Sequence, residues 1–313
     1  MLLLVGVLLY RSVNLESERV SQRIEQVLEA LVSDIDRDTD RWITILETLS
    51  TSTFLAEENW PAFYAQAKDI LRGKAYLVLL DAQGRQLINT FVPYGQAPAT
   101  TGDPETVRRI LRTSRPVVSD LFTSLVVRQP VYNISIPVRR GDEVRFIMSL
   151  GLLPEDLRAL LQSQSLPDGW SAAIWDSKGV IMARLRDHAR LVGTTVPPRL
   201  AQLPPGKVVR TRNIDGDEVL AAVGRGQWSD WTIEVAFPAA LVDEQMKDSL
   251  LFWGATLLLV GGLVIGLAFL FGRGLTRPLA STTAAAGALG RGEPFVIGNS
   301  RVREVNAVND ALR

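Results

Sequence analysis

Polar side chains gather around two apolar runs in the first half of the chain. Asn89 and Thr90 close the run QLINT and Tyr94 follows it, while Asp120 and Arg128 precede the run PVYNISIPV, which contains Tyr132, Asn133 and Ser135. These residue types bind rather than react. An Arg guanidinium clamps a carboxylate through two parallel hydrogen bonds, a Tyr is an aromatic wall with a polar tip, and Asn, Thr and Ser supply neutral donors and acceptors. The set points to a site for a small polar molecule, a carboxylate or an amino acid, with Arg128 and Tyr132 as the anchoring pair. Later in the chain Trp170, Trp175 and Arg184 form a second, smaller set of the same kind.

Reactive constellations are missing. The chain has no cysteine and one histidine, His188, which excludes thiolate catalysis, disulfides and a His-rich metal site. His188 stands in the polar run RLRDHARLVG and reads as an exposed loop residue. The glycines of GRGQW and GRGEP lack the spacing of a phosphate-binding loop. No catalytic residue, metal or cofactor is therefore expected. With 34 basic and 34 acidic residues, no basic surplus exists to bind nucleic acid.

The elements that position these residues follow from the apolar period. Ile24, Val27, Leu31, Ile35, Trp42, Ile45 and Leu49 recur at helical spacing among charges, which predicts one long amphipathic helix. A shorter helix is expected near Trp60 to Leu71. The period then becomes two: AYLVLLDAQGRQLINT reads as strand, turn, strand, with Asp81 and Gly84 in the turn. WSAAIWDSKGVIMAR repeats the signal with Asp176 and Gly179. Each copy ends in a further pair of strands, the first turning at Gly141, Asp142 and Glu143 and the second at Gly216, Asp217 and Glu218. Helices are expected from Glu105 to Arg112, from Pro154 to Gln164 and from Ala239 to Asp248. The stretch VPYGQAPATTGDP between hairpin and helix is the expected lid.

Leu250 to Phe271 carries no charge, and as a helix it reaches about 33 Å, enough to cross a hydrocarbon core. Arg273 and Arg277 place its C-terminal end in the cytoplasm, and the preceding segment outside. The opening MLLLVGVLLY reads as the end of a first membrane helix. Beyond the span, Leu275, Leu279, Thr282, Ala286 and Leu289 form a heptad seam, a connector runs from Gly290 to Asn299, and a second seam begins with Val305, Val308 and Leu312. Such seams need a partner, so a homodimer is expected, and Gly262 and Gly266 offer a close-approach face in the bilayer.

The order of these parts resembles a known family. A long helix, two hairpin-and-meander units opened by DAQGRQLINT and DSKGVIMAR, and then a membrane helix look like the double Cache sensor of bacterial receptors, built from PAS-like units. The seam, connector and second seam, with Pro278 and Glu304 opening the two helices, resemble the HAMP signal converter. The resemblance implies an α+β chain: the end of a membrane helix at 1–10, leading helices at 11–72, a membrane-distal Cache unit at 73–153, a linker helix and membrane-proximal unit at 154–249, a span at 250–271 and an incomplete HAMP at 272–313. It further implies a receptor in the bacterial inner membrane with a periplasmic sensor. LLDAQGRQLINTFVPYG is similar to sensors of alphaproteobacterial histidine kinases, which implies a missing kinase core acting on a cytoplasmic response regulator. A chemotaxis receptor or a diguanylate cyclase remains the alternative.

Overall fold

The computed structural model describes residues 2–98, 100–164 and 166–290. By internal contacts the chain forms two units, one from Asn14 to Asp243 and one made of its two ends, up to Val13 and from Glu244.

Helix α1 (Leu2–Ser50) is the long helix the spacing predicts. Its buried stripe is Ile24, Leu28, Leu31, Ile35, Trp42, Ile43, Leu46 and Leu49, so Leu28 and Leu46 take the inward places expected of Val27 and Ile45. After a single turn, α2 (Thr53–Ala56), helix α3 (Trp60–Leu71) starts at Asn59, whose side chain accepts from the Ala62 amide.

Strands β1 (Tyr76–Asp81) and β2 (Gln86–Asn89) form the first hairpin. Helix α4 (Pro104–Thr113), capped by Asp103, leads to β3 (Val117–Val118), β4 (Phe122–Thr123), β5 (Pro130–Arg140) and β6 (Glu143–Leu152). These strands make one antiparallel sheet in the order β2-β1-β6-β5-β3, with β4 paired to β5. Helix α5 (Pro154–Ser163) follows. Next come β7 (Ser171–Trp175), β8 (Ile181–Arg184), the short α6 (His188–Leu191) and α7 (Pro198–Ala201), then β9 (Val209–Arg212), β10 (Glu218–Arg225) and β11 (Thr232–Pro238). Their order, β8-β7-β11-β10-β9, repeats that of the first sheet strand for strand.

The repeat extends to atoms. In each hairpin turn an aspartate oxygen caps two backbone amides. Asp81 Oδ1 accepts from Gln83 and Arg85 at 2.9 Å, and Asp176 Oδ1 from Lys178 at 2.9 Å and Val180 at 2.8 Å. Gly84 and Gly179 follow at φ 79° and 77°, a left-handed backbone that favours glycine.

One face of each sheet joins a shared core with α1, α3 and α5. Leu77, Leu79, Ile134, Met148 and Leu150 come from the first sheet, and Ala172, Ile174, Ile233 and Val235 from the second. The other face of the first sheet meets Val107 and Ile110 of α4. That of the second meets Leu191 and Leu200 of α6 and α7.

Strand β11 runs into α8 (Ala239–Gly290), which contains the expected span. Its segment Leu251–Leu270 has mean hydropathy 2.2 and is long and apolar enough to cross a membrane, with side chains such as Leu258 and Phe252 fully on the surface. The expected second seam at Val305, Val308 and Leu312 lies outside the described residues.

Candidate ligand-binding site

Strand registers sort the first sheet into two faces, because successive side chains point opposite ways. On β1, Tyr76, Val78 and Leu80 face away from α1. Val78 pairs with Asn89 on one side and Ser149 on the other, Ser149 pairs with Ser135, and Tyr76 pairs with Gly151, which pairs with Asn133. The face turned from the core therefore carries a polar row: Asn89, Ser149, Ser135 and, one pair along, Asn133. Ser135 donates to the Ser149 hydroxyl at 2.7 Å, and Asn89 Nδ2 donates to Gln86 Oε1 at 3.0 Å.

Gly151 lets the ring of Tyr76 lie flat on the sheet, since a Cβ there would overlap ring atoms Cζ and Cε1. Burial holds the ionisation of the Tyr76 hydroxyl above the ordinary tyrosine range, against a smaller opposing effect of the nearby Ser124.

A strap closes this floor. Thr101 and Gly102, from the expected lid, cover one side; Phe122 of β4 and Ser124, Leu125 and Val126, between β4 and β5, cover the rest. Ser124 builds the turn: its hydroxyl accepts from the Val126 and Val127 amides at 3.3 and 3.1 Å, and its carbonyl accepts from Arg128 N at 3.0 Å. The enclosed cavity is about 20 Å³, room for one water. Asn133 Oδ1 is buried and has no hydrogen-bond partner.

The strap is tied to the second sheet. Ser119 carbonyl accepts from Trp231 Nε1 at 3.1 Å, and the Leu121 amide donates to Asp176 Oδ2 at 3.2 Å. Asp120 accepts from the Ser177 hydroxyl at 2.8 Å and from its amide at 3.2 Å. Burial, with Asp120 adding like charge, raises the Asp176 carboxyl above its ordinary value.

The expected residues divide. Asn89, Asn133 and Ser135 share the floor. Thr90 lines a separate cleft of about 320 Å³ with Lys68, Lys74 and Phe91, which Tyr76 also borders. Tyr94 is exposed and meets the Tyr64 ring edge-on. Asp120 joins the strap to the second sheet rather than to the cavity. The anchoring pair does not form: Arg128 is exposed at φ 57°, forced there by the turn, and Tyr132 lies on the opposite face with Ile134 and Ile136, packed edge-on against Trp231 at 5.2 Å. His188 is also corrected. It is buried, not exposed, because its Nδ1 accepts from the Arg184 amide at 3.3 Å while α6 folds over β8, and burial lowers its pKa.

The same face of the second sheet carries charge. Ala173 pairs with Arg184 and Glu234, as Val78 pairs with Asn89 and Ser149. Arg184 is held by Asp215 at 2.5 Å, which lowers the aspartate pKa. Glu234 is buried, its Oε1 unpartnered, and burial pushes its pKa up to about 7. Its sequence signal was one acidic residue inside WTIEVAFP. Among the described residues no group of three His, Cys, Asp or Glu side chains could hold a metal ion.

An α+β architecture with two matched antiparallel sheets along one helix is shared with bacterial sensory ectodomains. The extracellular domain described as that of a histidine kinase, rpHK1S-Z16, superposes with TM-score 0.60 at 15% identity, covering 69% of this chain and 93% of that one. The ligand-binding domain of the Pseudomonas fluorescens chemoreceptor CtaA, solved with L-isoleucine, gives 0.58 at 15% identity over 74% and 98%. That of the Pseudomonas aeruginosa amino-acid chemoreceptor PctB, solved with L-Arg, gives 0.58 at 12% over 74% and 92%. These likenesses establish the fold. No family model and no curated protein matches the sequence.

Proposed function

We propose that the chain is the sensory and transmembrane part of a bacterial receptor. In this reading 73–153 is the membrane-distal Cache unit, 154–249 a linker helix and the membrane-proximal unit, 250–271 crosses the inner membrane, and 272–313 belong to a HAMP converter in a homodimer. A small extracytoplasmic molecule binds between the floor of Asn89, Asn133, Ser135 and Ser149 and the strap above it.

The observation that carries the reading is the strap itself. It covers the cavity and is bonded through Ser119, Asp120 and Leu121 to Trp231, Ser177 and Asp176 of the second sheet, whose last strand continues into α8. A ligand that prefers one strap position biases the β7–β8 hairpin and β11, and so the helix that leaves the domain. Helix shifts of about 1–2 Å are enough in such switches. The carboxylate clamp expected at Arg128 has no part in this site.

A histidine kinase core with a response regulator as its target is the output we favour, on the similarity of LLDAQGRQLINTFVPYG to kinase sensors; a chemotaxis signalling domain or a diguanylate cyclase is the alternative.

Amide hydrogen exchange on the full chain in detergent, with and without a pooled set of small extracellular metabolites, tests the sensory reading. Protection is expected to rise together in the strap, 119–127, and in the hairpin, 176–180. A change in neither overturns it.

A further inference from the structure

Every polar side chain of the described residues lining the first-sheet cavity is uncharged: Gln86, Asn89, Asn133, Ser149, Ser124 and Thr101, and the Tyr76 hydroxyl. The corresponding row of the second sheet places Arg184 and Glu234 where the first has Asn89 and Ser149, so the same framework accepts charge and here does without it. An amino acid entering such a site would bury an ammonium and a carboxylate with no opposite charge for either, a desolvation cost that neutral hydrogen bonds do not repay.

One group is left waiting. Asn133 is only 8% exposed, and its side-chain oxygen has no partner although the Ser119 hydroxyl holds its backbone amide at 2.8 Å. As it stands the cavity has room for one water at this oxygen, and a ligand that enters takes over that bond from the water.

We propose, resting on the sensory reading above, that this site takes an uncharged polar molecule of the amide, nucleobase or polyol kind, hydrogen-bonded to the Asn133 amide, and rejects free amino acids. The ligand enters as the strap lifts. The segment that lifts is the crest: β4 meets β5 at Phe122 with Val131 and Thr123 with Pro130, Ser124 N donates to the Gln129 carbonyl at 3.0 Å, and Leu125 between them is 57% exposed, while Ser119, Asp120 and Leu121 stay bonded beside the second sheet.

The test is thermal unfolding of the full chain in detergent, followed by tryptophan fluorescence. Nicotinamide, uracil, hypoxanthine and myo-inositol serve as neutral probes, and L-isoleucine, L-serine and L-arginine as zwitterionic ones. At least one neutral probe is expected to raise the midpoint and no amino acid to do so, with Asn133→Ala weakening binding at least tenfold. If the alanine variant does not fold, Asn133→Ser, which withdraws the amide but keeps a small polar group, carries the same expectation. An amino acid that binds and is lost in the Asn133 variants keeps the site and overturns the ligand class. Binding of any probe that the Asn133 variants leave unchanged overturns the site as well. Failure of all four neutral probes overturns the ligand class.

Discussion

Ser149 and Glu234 occupy the same place in two sheets of one topology: each is the β6 or β11 partner of the residue three before the turn aspartate, Val78 before Asp81 and Ala173 before Asp176. In the first sheet that place is a hydroxyl under a strap. In the second it is a carboxyl with an unpartnered oxygen, facing Arg184 across Ala173. One framework thus carries a neutral floor and a charged one.

Glu234 makes stability depend on pH. Its folded pKa is raised by burial from the ordinary 4.5 to about 7, against the opposing pull of Arg184. The folded state holds the proton more tightly than the unfolded chain, so this contribution is complete below about pH 4.5 and is lost as pH rises through 7. The loss is about 3 kcal/mol. Denaturant unfolding of the parent and Glu234→Gln should give similar stabilities at pH 5, with the variant pulling ahead toward pH 8. A constant difference contradicts the assignment.

Gly151→Ala puts a methyl where the Tyr76 ring lies, and should cost about 1–3 kcal/mol by overpacking. In a Tyr76→Ala background most of that cost should vanish, because the two changes share one space. Additive effects in the double-mutant cycle would mean the ring does not rest there.

Asp120 tests the link between sheets. Its bond from the Ser177 hydroxyl should show a coupling energy of about 1 kcal/mol in a cycle of Asp120→Ala with Ser177→Ala, the Ser177 amide bond being kept with serine or alanine at that position. Asp120→Ala should also leave ligand affinity intact while the ligand no longer changes exchange in residues 176–180.

The regular parts of this fold were legible because their patterned runs are long. The helical stripe of α1, the alternation of β1 and β5, the Asp-x-x-Gly turns and the uncharged run each extend over enough residues to leave a pattern. The strap left none: β3 and β4 are two residues each, and their pairing to β5 is decided by tertiary contact. Alternation on β5 separates Tyr132, Ile134 and Ile136 from Asn133 and Ser135, but it does not say which face α1 covers; the structure puts Tyr132 on the core side. Arg128 looked like a clamp by type; its backbone is committed to the Ser124 turn.

Topology has its own test. A periplasm-active reporter joined at Gly169 should work and one at Gly298 should not, and an Arg placed at Gly262 should cost about 2.5–3.5 kcal/mol of insertion. The reverse reporter pattern contradicts the orientation.

The central claim, that a ligand lies on the Ser149 floor beneath the strap, is most directly tested by a single thiol. The chain has no cysteine of its own, and Ser149 is 2% exposed. In the full chain carrying Ser149→Cys, a thiol reagent can reach the sulfur only when the strap opens, so labelling should be slow. A probe that stabilises the protein should slow it at least tenfold further. Labelling at the same rate with the probe saturating would show that the ligand binds elsewhere.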